Sequence, residues 1–291
     1  MRSRATVHAW LLLTPALVLL AAFTHWPAVA TIWHSLFTTP RGNRPARFIG
    51  LENYADLLDD PIFWQSLWNN AIYAAATIPL SIVIALAMAL WVNARIPGRT
   101  ALRMAYFTPT VLPMIAVANL WLFFYTPDYG LLDQVLRGLF GFGATNWIGT
   151  PETALGAMIV VAVWKEAGFF MIFYLAALQA IPPSLHEAAI VEGASRARIF
   201  WRVTLPLLGP TTLFILVNAV INAFRLIDHV VVMTRGGPDN ATSLLLFYIY
   251  QAGFRFWDTA LASTLTVVLL LILAALAAIQ FLVLEKRVHY R

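Results

Sequence analysis

The sequence has no cysteine, only two lysines and little charge of either sign. Without cysteine the chain has no disulfide, no thiolate nucleophile and no cysteine ligand for a metal. Charged residues make up 11% of the 291 residues, apolar residues make up 60%, and the mean hydropathy is +0.75. This balance excludes an ordinary soluble domain and indicates a membrane protein.

The scarcity of lysine also bears on nucleotide binding. A Walker phosphate loop needs lysine followed by serine or threonine. Lys165 is followed by Glu166, and Lys286 is followed by Arg287. We therefore expect no ATPase site and no bound cofactor in this chain.

The six histidines are scattered, and no two have the spacing of metal ligands on one helix. A membrane-embedded lipid-modifying enzyme needs a clustered acid, base or metal set at one membrane face. We expect no catalytic residue and no metal site. This enzyme class and an ion-coupled secondary carrier are two of the functions open to a membrane protein of this composition.

Six apolar stretches are long enough to cross a bilayer, which takes about 20 residues per helix. They are residues 10–33, 71–92, 104–124, 154–177, 207–227 and 260–283. They predict an all-α polytopic protein with one transmembrane domain over residues 1–291. Pro109 and Pro113 remove backbone donors from the third stretch, and we expect both to kink it inside the bundle.

Basic residues are concentrated in alternate segments between these stretches. One class of segment has eleven cations and three acids, and the other class has six cations and nine acids. The cations of the first class are Arg2, Arg4, Arg95, Arg99, Arg103, Arg196, Arg198, Arg202, Lys286, Arg287 and Arg291. The positive-inside rule places this class, and with it both termini, in the cytoplasm.

The first apolar stretch has a second interpretation. Ala28-Val29-Ala30 has the small-x-small form of a signal-peptidase site. The run is longer than a typical signal sequence and carries Trp10, Trp26 and Trp33 near its ends, as an interfacial anchor does. We therefore expect a retained first helix.

Residues 181–206, here called the coupling loop, have the pattern of two short helices. Ser184 and Glu187 form a capping box that predicts a helix start, and Gly193 can end that helix. A second helix is expected over residues 195–202, with Pro206 beginning the fifth span. The loop fits a rigid docking surface for a partner, but it also fits an amphipathic linker on lipid headgroups.

Polar and ionisable residues at membrane depth are candidates for a solute path, because they are costly in lipid and usually face the bundle interior. These candidates are Lys165, Glu166, Trp164, Asn119, Tyr174, Asn218, Asn222, Arg225 and Asp228. Arg225 and Asp228 are three residues apart and can instead form a structural ion pair. The aromatic and asparagine candidates also fit an interfacial belt or helix association.

The coupling loop resembles the "EAA" loop of bacterial ABC import permeases. The matching residues are Glu187-Ala188-Ala189, Gly193 and Leu205-Pro206, with Val203 where the family usually has isoleucine. Further likeness lies in Trp164-Lys165, Ala176–Pro182, Gly236-Gly237-Pro238 and Gly50–Tyr54. Together they resemble the carbohydrate-uptake permeases of the maltose and glycerol-3-phosphate type, and the chain looks similar to the glycerol-3-phosphate permease A subunit.

This resemblance implies a type I importer transmembrane domain in the inner membrane of a bacterium. The implied partners are two ATPase subunits that bind ATP and magnesium, a second permease subunit and a solute-binding protein. The residues implied to contact the ATPase are Glu187, Ala188, Ala189, Glu192, Gly193, Arg196, Arg198, Leu205 and Pro206. Those implied to face the binding protein are Gly236, Gly237, Pro238 and Asp239. A sugar, a polyol or glycerol-3-phosphate is the implied solute.

Overall fold

The computed structural model describes residues 2–94, 96–141 and 145–284, and within these ranges it contains helices and no named strand. The α-helices are α1 Arg2–Leu20, α2 Trp26–His34, α3 Glu52–Leu58, α4 Pro61–Asn93, α5 Arg99–Val111, α6 Met114–Tyr125, α7 Leu131–Phe140, α8 Pro151–Ala180, α9 Pro183–Val191, α10 Arg196–Ile199, α11 Leu205–Leu207, α12 Gly209–Arg225, α13 Asp228–Met233, α14 Leu245–Tyr250 and α15 Thr259–Ile279. π-Helical turns extend or join some of them at Ala21–His25, Phe200–Thr204, Gln251–Arg255 and Gln280–Leu284. The predicted all-α class is confirmed.

The described residues divide into two compact units. One unit runs up to Phe63 and includes Tyr248–Leu271, and the other contains Trp64–Phe247 and the described residues from Ile272 onward. The prediction of a single transmembrane domain therefore stays a prediction. The second unit contains α5 to α13 and all of the predicted site residues.

Five helical segments are long and apolar enough to cross a membrane. They are Ala9–His34, Pro61–Asn93, Pro151–Ala180, Gly209–Met233 and Thr259–Leu282. They overlap five of the six predicted stretches. The remaining stretch, residues 104–124, corresponds to α5 and α6, which meet at an angle of 105°.

Pro113 marks the break between α5 and α6. Leu112 takes an extended backbone conformation after α5 ends, and Pro113 is the N-cap of α6. Pro109 lies inside α5 without ending it. The predicted bend of the third stretch is confirmed at Pro113, where it is a break between two helices. A kink at Pro109 stays a prediction.

In the second unit, α5 lies directly against α8. Gly168 in α8 makes this approach possible, because a Cβ atom built there would be 2.1 Å from the backbone oxygen of Tyr106. Phe170, Met171 and Tyr174 of α8 are buried nearby, in a core that also contains Ile215 of α12. The core of this unit thus centres on α8.

The short helix α7 was not predicted. Its Asp133 is buried, and the carboxylate accepts hydrogen bonds from the Trp147 indole at 2.7 Å and from the backbone amides of Asp128 and Thr145 at 3.1 Å. Burial acts to raise the pKa of Asp133, but these hydrogen bonds outweigh it and lower the pKa below its usual value. The ionised carboxylate therefore joins the segment before α7, at Asp128, to the segment after it, at Thr145 and Trp147.

Gly168→Ala is expected to lower the stability of the protein in detergent. The new methyl group meets a backbone oxygen that cannot turn away, so the helices must separate, at a cost of about 1–3 kcal/mol for such overpacking. The matched control is Gly156→Ala in the same helix, where a Cβ atom meets nothing within 4 Å. The midpoint of thermal unfolding checks this, and equal midpoints for both variants would contradict it.

Candidate solute path and coupling surface

The first helix of the coupling loop is α9, and it begins differently from the prediction. Pro182 is its N-cap, and no side chain caps the helix start. Ser184 lies inside the first turn, so the predicted capping box with Glu187 is wrong. The fixed φ angle of proline suits a first helical position and explains how α9 starts without a side-chain cap.

Gly193 separates α9 from α10. Its φ angle is +75°, a left-handed conformation that strongly favours glycine, and a Cβ atom there would meet nothing within 4 Å. The Ser195 side chain then caps α10 by accepting a hydrogen bond from the Arg198 amide at 3.3 Å. The predicted turn at Gly193 is thus present and is followed directly by a capped helix.

The second helix does not stop near residue 202. From α10 the chain continues through the π-helical turn Phe200–Thr204 into α11, which contains Pro206. The side chain of His186 in α9 lies 3.2 Å from the Thr204 hydroxyl. The predicted separate helix over residues 195–202 was too short, and the two halves of the coupling loop contact each other.

The outer surface of α9 has no cover within the described chain. Leu185, Ile190 and Val191 are 42%, 63% and 88% exposed. The predicted ATPase contacts that are also exposed are Glu187, Ala188, Glu192, Gly193, Arg196, Arg198 and Pro206, while Ala189 and Leu205 are half-buried. Apolar and charged side chains are therefore available together for a partner.

Lys165 of α8 points to the break between α5 and α6. Its Nζ atom donates to the backbone oxygens of Leu112 at 2.6 Å, Pro109 at 3.0 Å and Thr110 at 3.4 Å. These are carbonyl groups near the end of α5, where helical partners run out. The sequence predicted Lys165 as a solute-path residue, whereas in the structure its ammonium is hydrogen-bonded to backbone oxygens. Solute contact by Lys165 stays a prediction.

Glu166 turns toward α12. Its carboxylate accepts a hydrogen bond from the Asn222 side chain. Both residues line a cavity of about 180 Å³. Its lining residues are Thr110, Met114, Ala162, Lys165, Glu166, Phe169, Asn222 and Leu226. The bent pair, α8 and the end of α12 thus meet around a small, mostly apolar cavity that includes the polar side chains of Glu166 and Asn222.

The other path candidates have different surroundings. The Asn119 and Asn218 amides each donate to a carbonyl of their own helix, at 2.9 and 2.8 Å, and Tyr174 is buried with its hydroxyl 3.0 Å from Thr212. Trp164 is 40% exposed and lies edge-on against Trp121. Asn222 is therefore the predicted asparagine that the structure brings to the cavity, and solute contact by the others stays a prediction.

Arg225 and Asp228 do not share one helix. Arg225 ends α12, Asp228 begins α13, and Leu226 between them has an extended backbone conformation. Both side chains are exposed, and they form no ion pair with each other. The predicted pairing on one helical face was wrong because the fifth span breaks between these residues.

The outer loop 234–242 is held by backbone and side-chain hydrogen bonds. Gly236 is buried at φ +85°, Asp239 is exposed, and the Thr242 hydroxyl donates to the backbone oxygen of Gly237 at 2.7 Å. The Asn69 amide donates to the backbone oxygens of Asn240 and Ser243. Gly237 and Pro238 are joined by a cis peptide bond. Asp239 is therefore exposed at the surface of a loop that these hydrogen bonds hold in place.

Sequence analysis did not predict roles for Asn69 and Asn70. Asn70 links α4 to two other segments, since its amide donates to the Ala223 oxygen and its own oxygen accepts from the Leu245 amide, both at 3.3 Å. The predicted second span began at residue 71, which excluded this pair. Two adjacent amides at the start of an apolar helix were the available signal.

In the described part of the chain, five helices of membrane length and a bent helix pair that can form a sixth span define a polytopic membrane protein. Residues 63–290 match the family described as the binding-protein-dependent transport system inner membrane component. The chain belongs to this family, and the predicted resemblance is confirmed.

Curated relatives match over nearly the whole chain. The sulfoquinovosyl glycerol transport system permease protein SmoG of Agrobacterium fabrum is 34% identical over 96% of this chain and 91% of its own. The trehalose/maltose permease protein MalF of Thermococcus litoralis is 36% identical over 90% and 89%. The sn-glycerol-3-phosphate permease protein UgpA of Brucella abortus is 34% identical over 97% and 96%.

Solved structures show the same fold at lower identity. A chain of the bacterial alginate ABC transporter, solved with an alginate pentasaccharide-bound periplasmic protein, matches with a TM-score of 0.83 at 22% identity, over 96% of this chain and 93% of that one. A chain of the MetNI methionine ABC transporter matches with a TM-score of 0.56 at 16% identity, over 79% and 99%. The predicted importer transmembrane fold is confirmed.

Gly236→Ala is expected to loosen the outer loop. An added Cβ atom would lie 2.5 Å from a ring carbon of Phe247, so the clash adds about 1–3 kcal/mol to the cost of a left-handed alanine. Gly98→Ala is the control, because φ there is +74° and a Cβ atom meets nothing within 4 Å. Limited proteolysis should cut the loop 234–242 faster in the Gly236 variant than in the Gly98 variant. Equal cutting of this loop in the two variants would refute the packing argument.

Proposed function

We propose that this chain is the permease subunit of an ATP-driven importer that moves a sugar or sugar-like solute across the inner membrane of a bacterium. Membership of the binding-protein-dependent family supports the transport role. The three relatives named above carry names of a sugar, a glycosylated glycerol and glycerol-3-phosphate. Their shared chemistry is a small polyhydroxy solute, which is the class proposed here.

The exposed surface of α9 is the observation that carries the proposal. Apolar side chains with large exposed fractions are costly in water and typical of surfaces covered by a partner. Arg196 and Arg198 on α10 add positive charge beside Glu187 and Glu192, so a complementary partner can be oriented electrostatically. A cytoplasmic ATPase subunit fits this surface better than lipid headgroups, because acidic side chains lie among the basic ones.

The proposed assembly has one permease chain of this type, a second homologous permease, two ATPase subunits that bind ATP and magnesium, and a solute-binding protein. Conformational changes in the ATPase pass through the coupling loop. Asp239 and its neighbours Gly236, Gly237 and Pro238 face the binding protein on the opposite side of the membrane. The contact between His186 and Thr204 lets both halves of the coupling loop move as one body.

The cavity at Glu166 and Asn222 is the proposed polar element of the solute path. A carboxylate and an amide provide the acceptors and donors that hydroxyl groups need. Its volume of about 180 Å³ is small, so the described conformation holds at most a small solute group. Alternating access would widen it when the partner ATPase binds nucleotide.

Gly193→Asp is expected to abolish recovery of the ATPase with the tagged permease. Aspartate at φ +75° is strained and adds a negative charge beside Glu192, so α9 and α10 lose their relative orientation. Affinity purification from mild detergent followed by mass spectrometry checks the result. The control is Gly98→Asp, which has the same open surroundings and φ +74° in another loop.

Two outcomes would count against the importer. One is purification of the wild-type chain without any ATPase or second permease. The other is uptake by intact cells that follows an ion gradient and not ATP, which would favour the secondary carrier. Loss of partners in both aspartate variants would instead show a general folding defect, and the less disruptive Gly193→Asn would then replace Gly193→Asp.

Asn222→Leu is expected to reduce solute uptake about tenfold or more, since the half-buried Glu166 carboxylate loses its hydrogen-bond donor and the proposed path loses a polar group. Ile221→Leu is the control, because it introduces the same side chain at an exposed neighbouring position of α12. Uptake into vesicles containing the assembled transporter is the measurement. Equal uptake by both variants, with normal assembly, would remove the cavity from the path.

A further inference from the structure

The break between α5 and α6 leaves a specific backbone oxygen without its helical donor. In an unbroken helix the oxygen of residue 109 accepts from the N–H of residue 113. Residue 113 is proline and has no N–H. The Lys165 ammonium lies 3.0 Å from the Pro109 oxygen and 2.6 Å from the Leu112 oxygen. It supplies from α8 the donor that Pro113 lacks.

The positive charge of the Lys165 ammonium is also stabilised by these backbone oxygens. An ammonium group has three donors, and the third reaches the Thr110 oxygen at 3.4 Å. Within the described ranges the ion pair identified is Arg137 with Asp128, and Lys165 takes part in none. A cation at the C-terminal end of a helix is favoured by the carbonyl dipoles there. Lys165 thus has its donors committed to α5, and none is left for an anionic solute.

A second contact lies on the same face of α8. Gly168 follows Lys165 by three residues and touches the backbone of α5 at the Tyr106 oxygen. The Thr110 hydroxyl also donates to the Lys165 backbone oxygen, at 3.4 Å. The end of α5 is therefore attached to α8 by contacts that use the backbones of both helices. These contacts lie beside the cavity lined by Glu166 and Asn222.

We propose that Lys165 is a positioning residue for translocation: its ammonium replaces the donor missing at Pro113 and fixes the bend of the α5–α6 pair against α8. The bend sets where Thr110 and Met114 stand in the cavity wall. Lys165 acts through this bend and does not bind the solute. The inference rests on the proposed import function, and its test first establishes that function separately.

The experiment uses the complete transporter in lipid vesicles. ATP-dependent uptake by the wild type is measured first. Its absence would reject the import function, whereas the label distances described below test separately whether Lys165 fixes the bend. Lys165→Met keeps the length and apolar stem of the side chain but removes the donors, and it is expected to lower the maximal uptake rate about tenfold. Lys165→Arg should recover a large part of that loss. Val160→Met, at an exposed position of the same helix, is the control for the new side chain.

A double-mutant cycle with Pro113→Ala separates this role from solute binding. Alanine restores the N–H that can serve the Pro109 oxygen, so Lys165→Met should cost less in the Pro113→Ala background than in the wild type. A residue that binds solute would show the same loss in both backgrounds. Additive effects of the two changes would therefore overturn the proposal.

Distances measured without solute give an independent readout. The natural chain has no cysteine, so a pair of spin labels can be placed at Phe123→Cys in α6 and Ile172→Cys in α8, which are exposed positions. Lys165→Met should shift or broaden the distance between them, and Lys165→Arg should preserve it. An unchanged distance together with wild-type uptake in Lys165→Met would refute the proposal. Size-exclusion profiles show that each variant is assembled before it is scored.

Discussion

The need to satisfy backbone polar groups away from water governs the second unit of this structure. A helix that breaks in a bilayer exposes N–H and carbonyl groups that lipid cannot bind, at several kcal/mol for each unsatisfied group. Pro113 creates such a break, and the Lys165 ammonium binds the oxygens it leaves. A residue with a high insertion cost in α8 thus lies where the backbone of the bent pair lacks a donor.

The same constraint explains why the polar side chains of the apolar helices fall into groups with different hydrogen-bond partners. Asn69 and Asn70 bond to the backbone of segments far along the chain, and they position the outer loop and the start of α14. Asn119 and Asn218 bond within their own helices and link nothing else in the described structure. Glu166 and Asn222 bond to each other across two helices beside a cavity. Side chains of the same type therefore differ in function according to what they bind.

The sequence allowed the class, the spans and the coupling-loop turn to be predicted, because these depend on local pattern. Gly193 was identified from its place between two helical patterns, and its φ of +75° agrees. What could not be predicted depends on distant partners. The predicted capping box was wrong because Pro182 is already the N-cap of α9. The predicted Arg225–Asp228 pair was wrong because the helix ends before Leu226 and a new helix begins at Asp228. No local signal shows that Lys165 reaches carbonyl groups more than fifty positions earlier.

The positions of the proposed coupling surface and of the proposed solute cavity follow from these attachments. The cavity lies where the bent pair, α8 and α12 meet, so a movement of any of the three changes its wall. The chain runs directly from α8 through α9 and α10 into α11 and α12, and α9 contacts the returning segment through His186 and Thr204. A force applied to the exposed face of α9 therefore acts on both α8 and α12. In our proposal Lys165 fixes the bend of α5 and α6 against α8, so that bend would move with α8. The proposed coupling surface and the cavity would then be mechanically connected through α8.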